Sequence, residues 1–193
     1  AEREARRRRI ANIRFCQCPA DSLPFTADSF DVVVSRLGAM FFPDPLRALR
    51  EMRRVTRAEG TLSLVVWSKS ELNPFSYEVS NVVSRLLPAE TPSLAHDAFR
   101  FAEPGKLAGI FTEAGATAVR ERILNFDIAA PISAEEFWVM RSETSGTLRD
   151  KLRAAPVETR AKVREEVLHA IRKYFSNDQM RFPAQMLIVT GVS

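Results

Sequence analysis

Glycine is scarce in this sequence, and no glycine-rich turn is present. The 193 residues include seven glycines, and the first of them, Gly38, follows a predicted strand. No G-x-G-x-x-G pattern occurs, so the sequence lacks the turn that brings the main chain close to a nucleotide at the start of a doubly wound domain. Because such domains open with that turn, we expect a further segment to precede residue 1.

Cysteines, histidines and long apolar runs are scarce as well. The two cysteines, Cys16 and Cys18, lie too close together on a predicted strand to staple a fold, so we expect reduced thiols. With only His96 and His169 besides, we assign no metal site. No run of about 18 apolar residues occurs, and no apolar signal segment opens the sequence, which predicts a cytoplasmic protein without a membrane span.

Positive charge is in modest excess and lies in two arginine clusters. The formal net charge is +4. The clusters are Arg3, Arg6, Arg7, Arg8 and Arg9, and Arg47, Arg50, Arg53, Arg54 and Arg57. No aromatic residues or nucleic-acid motif accompany them, so they predict solvated helix faces and no nucleic-acid partner. If the clusters instead bound the phosphates of a nucleic acid, the binding affinity would fall steeply with increasing salt.

The first half of the sequence predicts a strand, helix and strand in parallel order. Strands are predicted at residues 13–17, 30–35 and 61–67, with Val32 to Val34 typical of a parallel strand covered on both faces. Asp44 and Pro45 predict a capped helix, and Gly60 predicts its left-handed end. Short connections between these elements favour a right-handed parallel crossover.

The second half predicts more helices and two late strands. Helices are predicted at residues 73–87, 104–114, from the capping box of Ser133 and Glu136 onward, and at 157–175. Strands are predicted at 117–128 and 185–192. An apolar fraction of 46% in 193 residues is enough for one domain with a substantial core. The sequence therefore predicts a single α/β domain over residues 1–193.

Several segments, in their order and spacing, carry a family resemblance. They are Asn12 to Phe15, Leu23-Pro24-Phe25, Ser29 to Val33, Ala48 to Val55, Gly60-Thr61-Leu62, Phe101 to Pro104 and Glu113-Ala114-Gly115. Together they resemble the Rossmann-like S-adenosylmethionine-dependent methyltransferases, in particular the branch that methylates quinones, sterols and other natural products. The resemblance implies a doubly wound, mostly parallel sheet with a late antiparallel strand and helical lid insertions.

In that family, the loop after the third strand meets the adenine of S-adenosylmethionine. The resemblance therefore implies that Ala20 and Asp21 bind the adenine, through a backbone N–H to a ring nitrogen and the Asp21 carboxylate to the exocyclic amine. Pro19 stands where the family most often has its acidic residue. The alternative is that Asp21 only forms an Asx-turn leading into Pro24.

The family also implies contacts at the carboxyl end of the next strand. Ser35, Arg36 and Leu37 would pass beside the methionine moiety of the cofactor, with the carbonyl groups of Ser35 and Arg36 in contact. We predict that Met40, Phe41 and Trp67 line the pocket of a small-molecule acceptor. The alternative is that Met40, Phe41 and Phe42 pack beneath the helix that starts at Pro45.

Two further elements of the family pattern have no counterpart in this sequence. They are the glycine-rich turn and the acidic residue that binds the ribose, so we expect weak cofactor binding by residues 1–193 and a sheet that is split or rearranged. No catalytic residue is assigned, because holding donor and acceptor in line can suffice for methyl transfer. His96 is a conceivable base, but a solvated histidine is the simpler interpretation.

Two functions are compatible with these patterns. In the first, the protein is a small-molecule methyltransferase. Its cofactor side is residues 1–67, and its helical lid and acceptor region is residues 68–103 and 131–181. The last helix and strands are residues 104–130 and 182–193. In the second, the protein is a non-catalytic remnant that acts in binding or interaction. Either way, an unpaired edge on strand 30–35 predicts a homodimer.

Overall fold

The computed structural model describes residues 1–87 and 97–193. The helices are α1 (Glu2–Arg7), α2 (Pro45–Val55), α3 (Pro74–Leu86), α4 (Lys106–Glu113), α5 (Ala134–Thr144), α6 (Gly146–Ala154) and α7 (Val157–Ile171). The strands are β1 (Phe30–Arg36), β2 (Thr56–Trp67), β3 (Thr117–Ala130), β4 (Phe175–Ser176) and β5 (Gln179–Val192). No helix among these is long and apolar enough to cross a bilayer.

The strands form one continuous sheet in the order β1-β2-β5-β3, with β4 paired to β5. Strand β1 is parallel to β2, and β5 is antiparallel to both β2 and β3. The long strands β1, β2 and β3 therefore run in one direction and β5 runs in the other, which confirms the predicted α/β sheet with a late antiparallel strand. Of the expected alternatives, a split or a rearranged sheet, the split is wrong, because the described strands are hydrogen-bonded neighbours along one path.

The amino-terminal strand predicted at residues 13–17 is not formed. These residues are irregular, follow the short helix α1, and leave Ile13 45% exposed. An extended segment is stable as a strand only when its main chain pairs with a neighbour. Within the described ranges the order of the sheet gives this segment no such neighbour, and β1 is the edge strand.

A first core lies on one face of the sheet, under α2 and α4. It contains Leu62 and Leu64 of β2, Leu187 of β5, Leu49 of α2 and Phe111 of α4, all fully buried. The opposite face of β1 is uncovered, since Val32 is 56% and Val34 is 70% exposed. The expectation that β1 is covered on both faces is therefore wrong for residues 1–87 and 97–193.

Helix α2 and strand β2 follow one another without a glycine stop. The Asp44 side chain accepts from the Arg47 N–H at 2.9 Å, so the predicted cap is confirmed. The helix ends at Val55, and the next residue already begins β2. The predicted role of Gly60 is wrong: it lies inside β2, where a Cβ would stand 2.8 Å from the Asp31 carbonyl oxygen.

Strands β3 and β5 continue past the end of β2 as a two-stranded ribbon that carries a second core. Met186 of β5 pairs with Trp67, the last residue of β2, and the ribbon continues to the Met180–Ala130 pair. Helices α3, α5, α6 and α7 surround it with a cluster of aromatic rings, in which Phe182 contacts Phe75, Phe137, Tyr174 and Phe175.

The helical predictions for this region are largely confirmed. The capping box of Ser133 and Glu136 opens α5, and Gly115 follows α4 with a left-handed φ of 89°. Helix α6 was not predicted, and the predicted helix over 157–175 is too long, because α7 ends at Ile171 and a 3-10 turn leads into β4.

Candidate functional site

The carboxyl end of β1 lies on the open edge of the sheet. The Leu37 N–H donates to the Val65 carbonyl oxygen of β2 at 2.9 Å, with Leu37 in a left-handed conformation, φ 58°. Main-chain groups of successive residues in a strand point to opposite sides. The Arg36 carbonyl group is therefore directed away from β2, whereas that of Ser35 is directed toward it. Of the two predicted carbonyl contacts, only Arg36 is free to face a ligand.

The loop after β1 turns through a 3-10 helix, Ala39–Phe41, into α2. Met40 is 1% exposed and belongs to the first core, in agreement with the packing alternative. Phe41 is 47% exposed. The next carbonyl group, that of Phe42, accepts a hydrogen bond from Arg100 Nη1 at 2.8 Å. This bond ties the loop to the segment that precedes α4.

The segment with Ala20 and Asp21 is held against α2. The Leu23 N–H donates to Glu51 Oε2 at 3.0 Å, and Arg54 donates to the Leu23 carbonyl at 3.0 Å as well as to Glu51. The Arg54 guanidinium and the Leu23 N–H lower the pKa of Glu51 to about 2. Glu51 and Arg54 thus fix the position of a loop that has no regular structure of its own.

Asp21 is available for a ligand in this arrangement. Its Oδ2 lies 3.9 Å from Arg47 Nε, near the start of α2, which is beyond hydrogen-bond distance. An Asx-turn would need the Leu23 N–H, but that group donates to Glu51, so the turn-forming alternative is wrong. Across the described residues, the N–H groups of Ala20 and Asp21 have no partner either.

These free groups fit the edge of an adenine. A purine of this kind presents a ring nitrogen as acceptor next to an amino group as donor, and the complementary protein edge is one N–H beside one carboxylate oxygen. Ala20 and Asp21 supply that pair in consecutive residues. The residues present therefore fit the adenine of the cofactor that the sequence resemblance implies.

A buried polar network closes the carboxyl end of β2, and sequence reasoning missed it. Asn73, 3% exposed, donates from Nδ2 to the carbonyl oxygens of Ser68 at 3.3 Å and Lys69 at 3.0 Å. Its Oδ1 accepts from the Gln185 N–H at 3.0 Å. Trp67, half-buried against the first core, immediately precedes this network. The Asn73-Pro74 pair signals a helix start in the sequence but not these long-range bonds.

The predicted site residues thus gather at one end of the sheet, with exceptions. Arg36, Leu37, Phe41 and Trp67 stand at the carboxyl ends of β1 and β2, and Asp21 lies beside the start of α2. Met40 is withdrawn into the core, and the conceivable base His96 lies outside the described residues. Groups of three or more potential metal ligands are absent from residues 1–87 and 97–193.

Comparison with known sequences finds similarity to methyltransferases. A model of the methyltransferase domain matches residues 1–64. A ubiquinone/menaquinone biosynthesis C-methyltransferase of Marinomonas sp. (strain MWYL1) is 35% identical over 89 residues, 46% of this chain and 36% of that protein. The uncharacterized methyltransferase YcgJ of Bacillus subtilis (strain 168) is 39% identical over 82 residues, 42% and 32% of the two chains. The chain spans about a third of the length of these relatives.

Comparison with solved structures finds the same fold. The crystal structure of YcgJ from Bacillus subtilis matches with a TM-score of 0.57 and 22% identity, covering 100% of this chain and 76% of that one. A putative type II methyltransferase from Anaeromyxobacter dehalogenans matches with a TM-score of 0.56 and 20% identity, covering 94% and 72%. At such identities the likeness is one of fold.

Proposed function

We propose that the chain belongs to the Rossmann-like S-adenosylmethionine-dependent methyltransferases and that the protein transfers a methyl group from this cofactor to a small molecule. The observation that carries the proposal is the pair of main-chain N–H groups of Ala20 and Asp21, which lack a partner among the described residues, beside the Asp21 carboxylate, whose contact is an ion pair with Arg47 at 3.9 Å. Glu51 and Arg54 hold this segment against α2. We further propose a cytoplasmic location, since Cys16 and Cys18 are free thiols.

In this proposal each part of the cofactor has a protein partner. Ala20 or Asp21 donates an N–H to the adenine ring, and the Asp21 carboxylate accepts from its amine. The outward-facing Arg36 carbonyl and the neighbouring Leu37 pass beside the methionine moiety. When bound, the cofactor supplies an electrophilic methyl group on a sulfonium.

The protein's own contribution to the reaction is positioning and exclusion of water. Methyl transfer is an in-line displacement, so holding donor and acceptor collinear lowers the barrier without a conspicuous catalytic group. Phe41 and Trp67, at the carboxyl ends of β1 and β2, are the apolar residues that we assign to the wall of the acceptor pocket. We assign no catalytic base.

The adenine contact is testable with the product S-adenosylhomocysteine and the full-length protein. In titration calorimetry, Asp21→Ala should weaken binding by ~1 to 3 kcal/mol, about fivefold to 150-fold, because one charge-assisted hydrogen bond is lost. Asp31→Ala is the matched control: Asp31 is an exposed aspartate of β1 paired with Arg57. Equal dissociation constants for wild type and Asp21→Ala would remove Asp21 from the site.

A second candidate function is a non-catalytic binding protein that acts as a homodimer, and the exposure of β1 favours it. Val32 and Val34 present apolar side chains at 56% and 70% exposure, on a strand whose outer main-chain groups lack a partner among the described residues. Such an edge can pair with the same strand of a second copy. We propose this pairing for either function.

Sedimentation equilibrium tests the assembly. The wild-type protein should be a dimer at micromolar concentration, and Val34→Lys should be monomeric, because a charge on the strand opposes pairing. Thr61→Lys, an exposed position on the neighbouring strand β2, controls for added charge. A monomeric wild type would refute the dimer. A dimer that fails to bind S-adenosylhomocysteine would favour the non-catalytic function.

A further inference from the structure

A cleft in the helical region is lined by two cationic side chains that form no ion pair with a carboxylate in the described part of the chain. It has a volume of about 480 Å³ and lies between α3, the start of α6 and the turn before α4. Arg141 of α5 and Lys151 of α6 both line it. Within residues 1–87 and 97–193, neither has a carboxylate oxygen within 4.0 Å.

Arg141 is the less usual of the two cations. Its Nε is buried and has no hydrogen-bond partner in the described part of the chain. The guanidinium lies 5.1 Å from the centre of the Phe75 ring, and burial lowers the pKa of Arg141. A buried donor without a partner is costly. Because Arg141 lines the cleft, an anion there would meet the guanidinium and offset part of the cost of burying this cation.

The remaining lining completes an environment for an anion with an apolar body. Ser145 caps α6 by accepting from the Leu148 N–H, and Ser145, Thr147 and Leu148 line the cleft, so the amino-terminal end of the helix dipole favours negative charge there. Val79, Val83 and Phe99 supply apolar surface. Of the residues that line the cleft in the described ranges 1–87 and 97–193, one is acidic: Asp97, whose Oδ1 accepts from the Phe99 N–H at 2.8 Å.

A hydrogen bond ties one wall of the cleft to the loop of the proposed acceptor side. Phe99 lines the cleft, and the next residue, Arg100, donates to the Phe42 carbonyl beside Phe41. We propose that this cleft binds the carboxylate or phosphate of an amphipathic small molecule, with Arg141 and Lys151 as its ion partners. That the molecule is the methyl acceptor rests on the proposed function; that the cleft binds an anion does not.

Three eight-carbon probes with different head groups test the proposal on the full-length protein. Octanoate, octyl phosphate and octanol are titrated calorimetrically at low salt. We expect the anions to bind at least tenfold more tightly than octanol, and the tighter of the two identifies the head group. Equal affinity for octanol and both anions would overturn the proposal.

Variants locate the binding. Arg141→Met should weaken the binding of octanoate at least tenfold, and Lys151→Met should weaken it about threefold to tenfold. Neither variant should change the binding of octanol. Arg141→Lys should retain part of the affinity. Arg149→Met is the matched control, since Arg149 is an exposed cation of α6 outside the lining.

The outcomes separate binding from structural roles. Unchanged octanoate affinity in both Met variants would overturn the proposal, and a lower Tm in Arg141→Met with unchanged affinity would assign that residue to packing. If Arg141→Met does not fold, Lys151→Met and the octanol comparison decide. S-adenosylhomocysteine titrated in parallel keeps the two proposals distinct: loss of anion selectivity with intact cofactor binding refutes only this one.

Discussion

Replacing Asn73 should destabilise the protein more than its single side chain suggests, because that side chain joins three parts of the main chain. Its amide group bonds to the carbonyl oxygens of Ser68 and Lys69 and to the Gln185 N–H. These bonds fasten the end of β2 to β5 and to the start of α3. They lie where the first core meets the ribbon that carries the second.

The expected magnitude follows from the number of bonds lost. Asn73→Ala removes three hydrogen bonds at a 3% exposed position, and each contributes about 1 kcal/mol net, so the loss is about 3 kcal/mol. With a urea m-value of about 2 kcal/mol/M, the unfolding midpoint should fall by about 1.5 M. Asn73→Asp should cost at least as much at pH 7, since it directs a carboxylate at two carbonyl groups.

Urea unfolding followed by far-UV circular dichroism and tryptophan fluorescence measures this loss. Trp67 reports on the first core and Trp138 on the second. In the wild type the transitions followed by circular dichroism and by fluorescence should coincide, because the two cores unfold together. In Asn73→Ala the two transitions should separate. Asn81→Ala is the control, because Asn81 is an exposed residue of α3. A difference of less than about 0.5 kcal/mol between the two alanine variants would show that the bonds contribute nothing net.

Three further outcomes are expected. Asp44→Ala should lower the free energy of unfolding by about 1 kcal/mol through loss of a helix cap, and Asp44→Ser should restore most of it. The pKa of Glu51 in the folded protein is about 2, below its usual 4.5, so Glu51 stabilises the fold above about pH 4.5 and this stabilisation is lost as the pH falls toward 2. In Glu51→Gln the free energy of unfolding should therefore fall less steeply than in the wild type over that pH range. Parallel plots of the free energy of unfolding against pH for the two proteins would contradict this. Gly60→Ala should cost about 1 to 3 kcal/mol because its Cβ would meet main-chain oxygen at 2.8 Å, whereas Gly146→Ala, with open space around it, should cost nothing.

The elements that local chemistry determines were predictable from sequence. The Asp44-Pro45 cap, the capping box of Ser133 and Glu136 and the left-handed Gly115 each specify a helix end through residues a few positions apart. Strand β1 was recognisable from its valine run. Its exposure was not, because coverage of a sheet face depends on which distant elements pack there.

Features that depend on distant partners were not predictable. Residues 13–17 have strand-like composition but no neighbour to pair with. Strand β5 includes Pro183, a residue type that normally interrupts strands. Pairing with β2 ends at Met186, so at Pro183 one side of β5 no longer pairs with β2, and the missing N–H of the proline is tolerated there. For the site, the sequence could nominate Asp21 but not the Glu51 and Arg54 contacts that hold its loop.

The central position of β5 has a consequence for synthesis on the ribosome. Strands β2 and β3 are not neighbours, and each pairs with β5, which follows both in the chain. At about 5 to 20 residues per second, the stretch from Ala130 to Val192 takes roughly 3 to 12 s to translate. During that interval the main-chain groups of β2 and β3 that later pair with β5 have no partner strand. The nascent chain should therefore be most prone to aggregation, and most dependent on chaperones, just before its last described strand emerges.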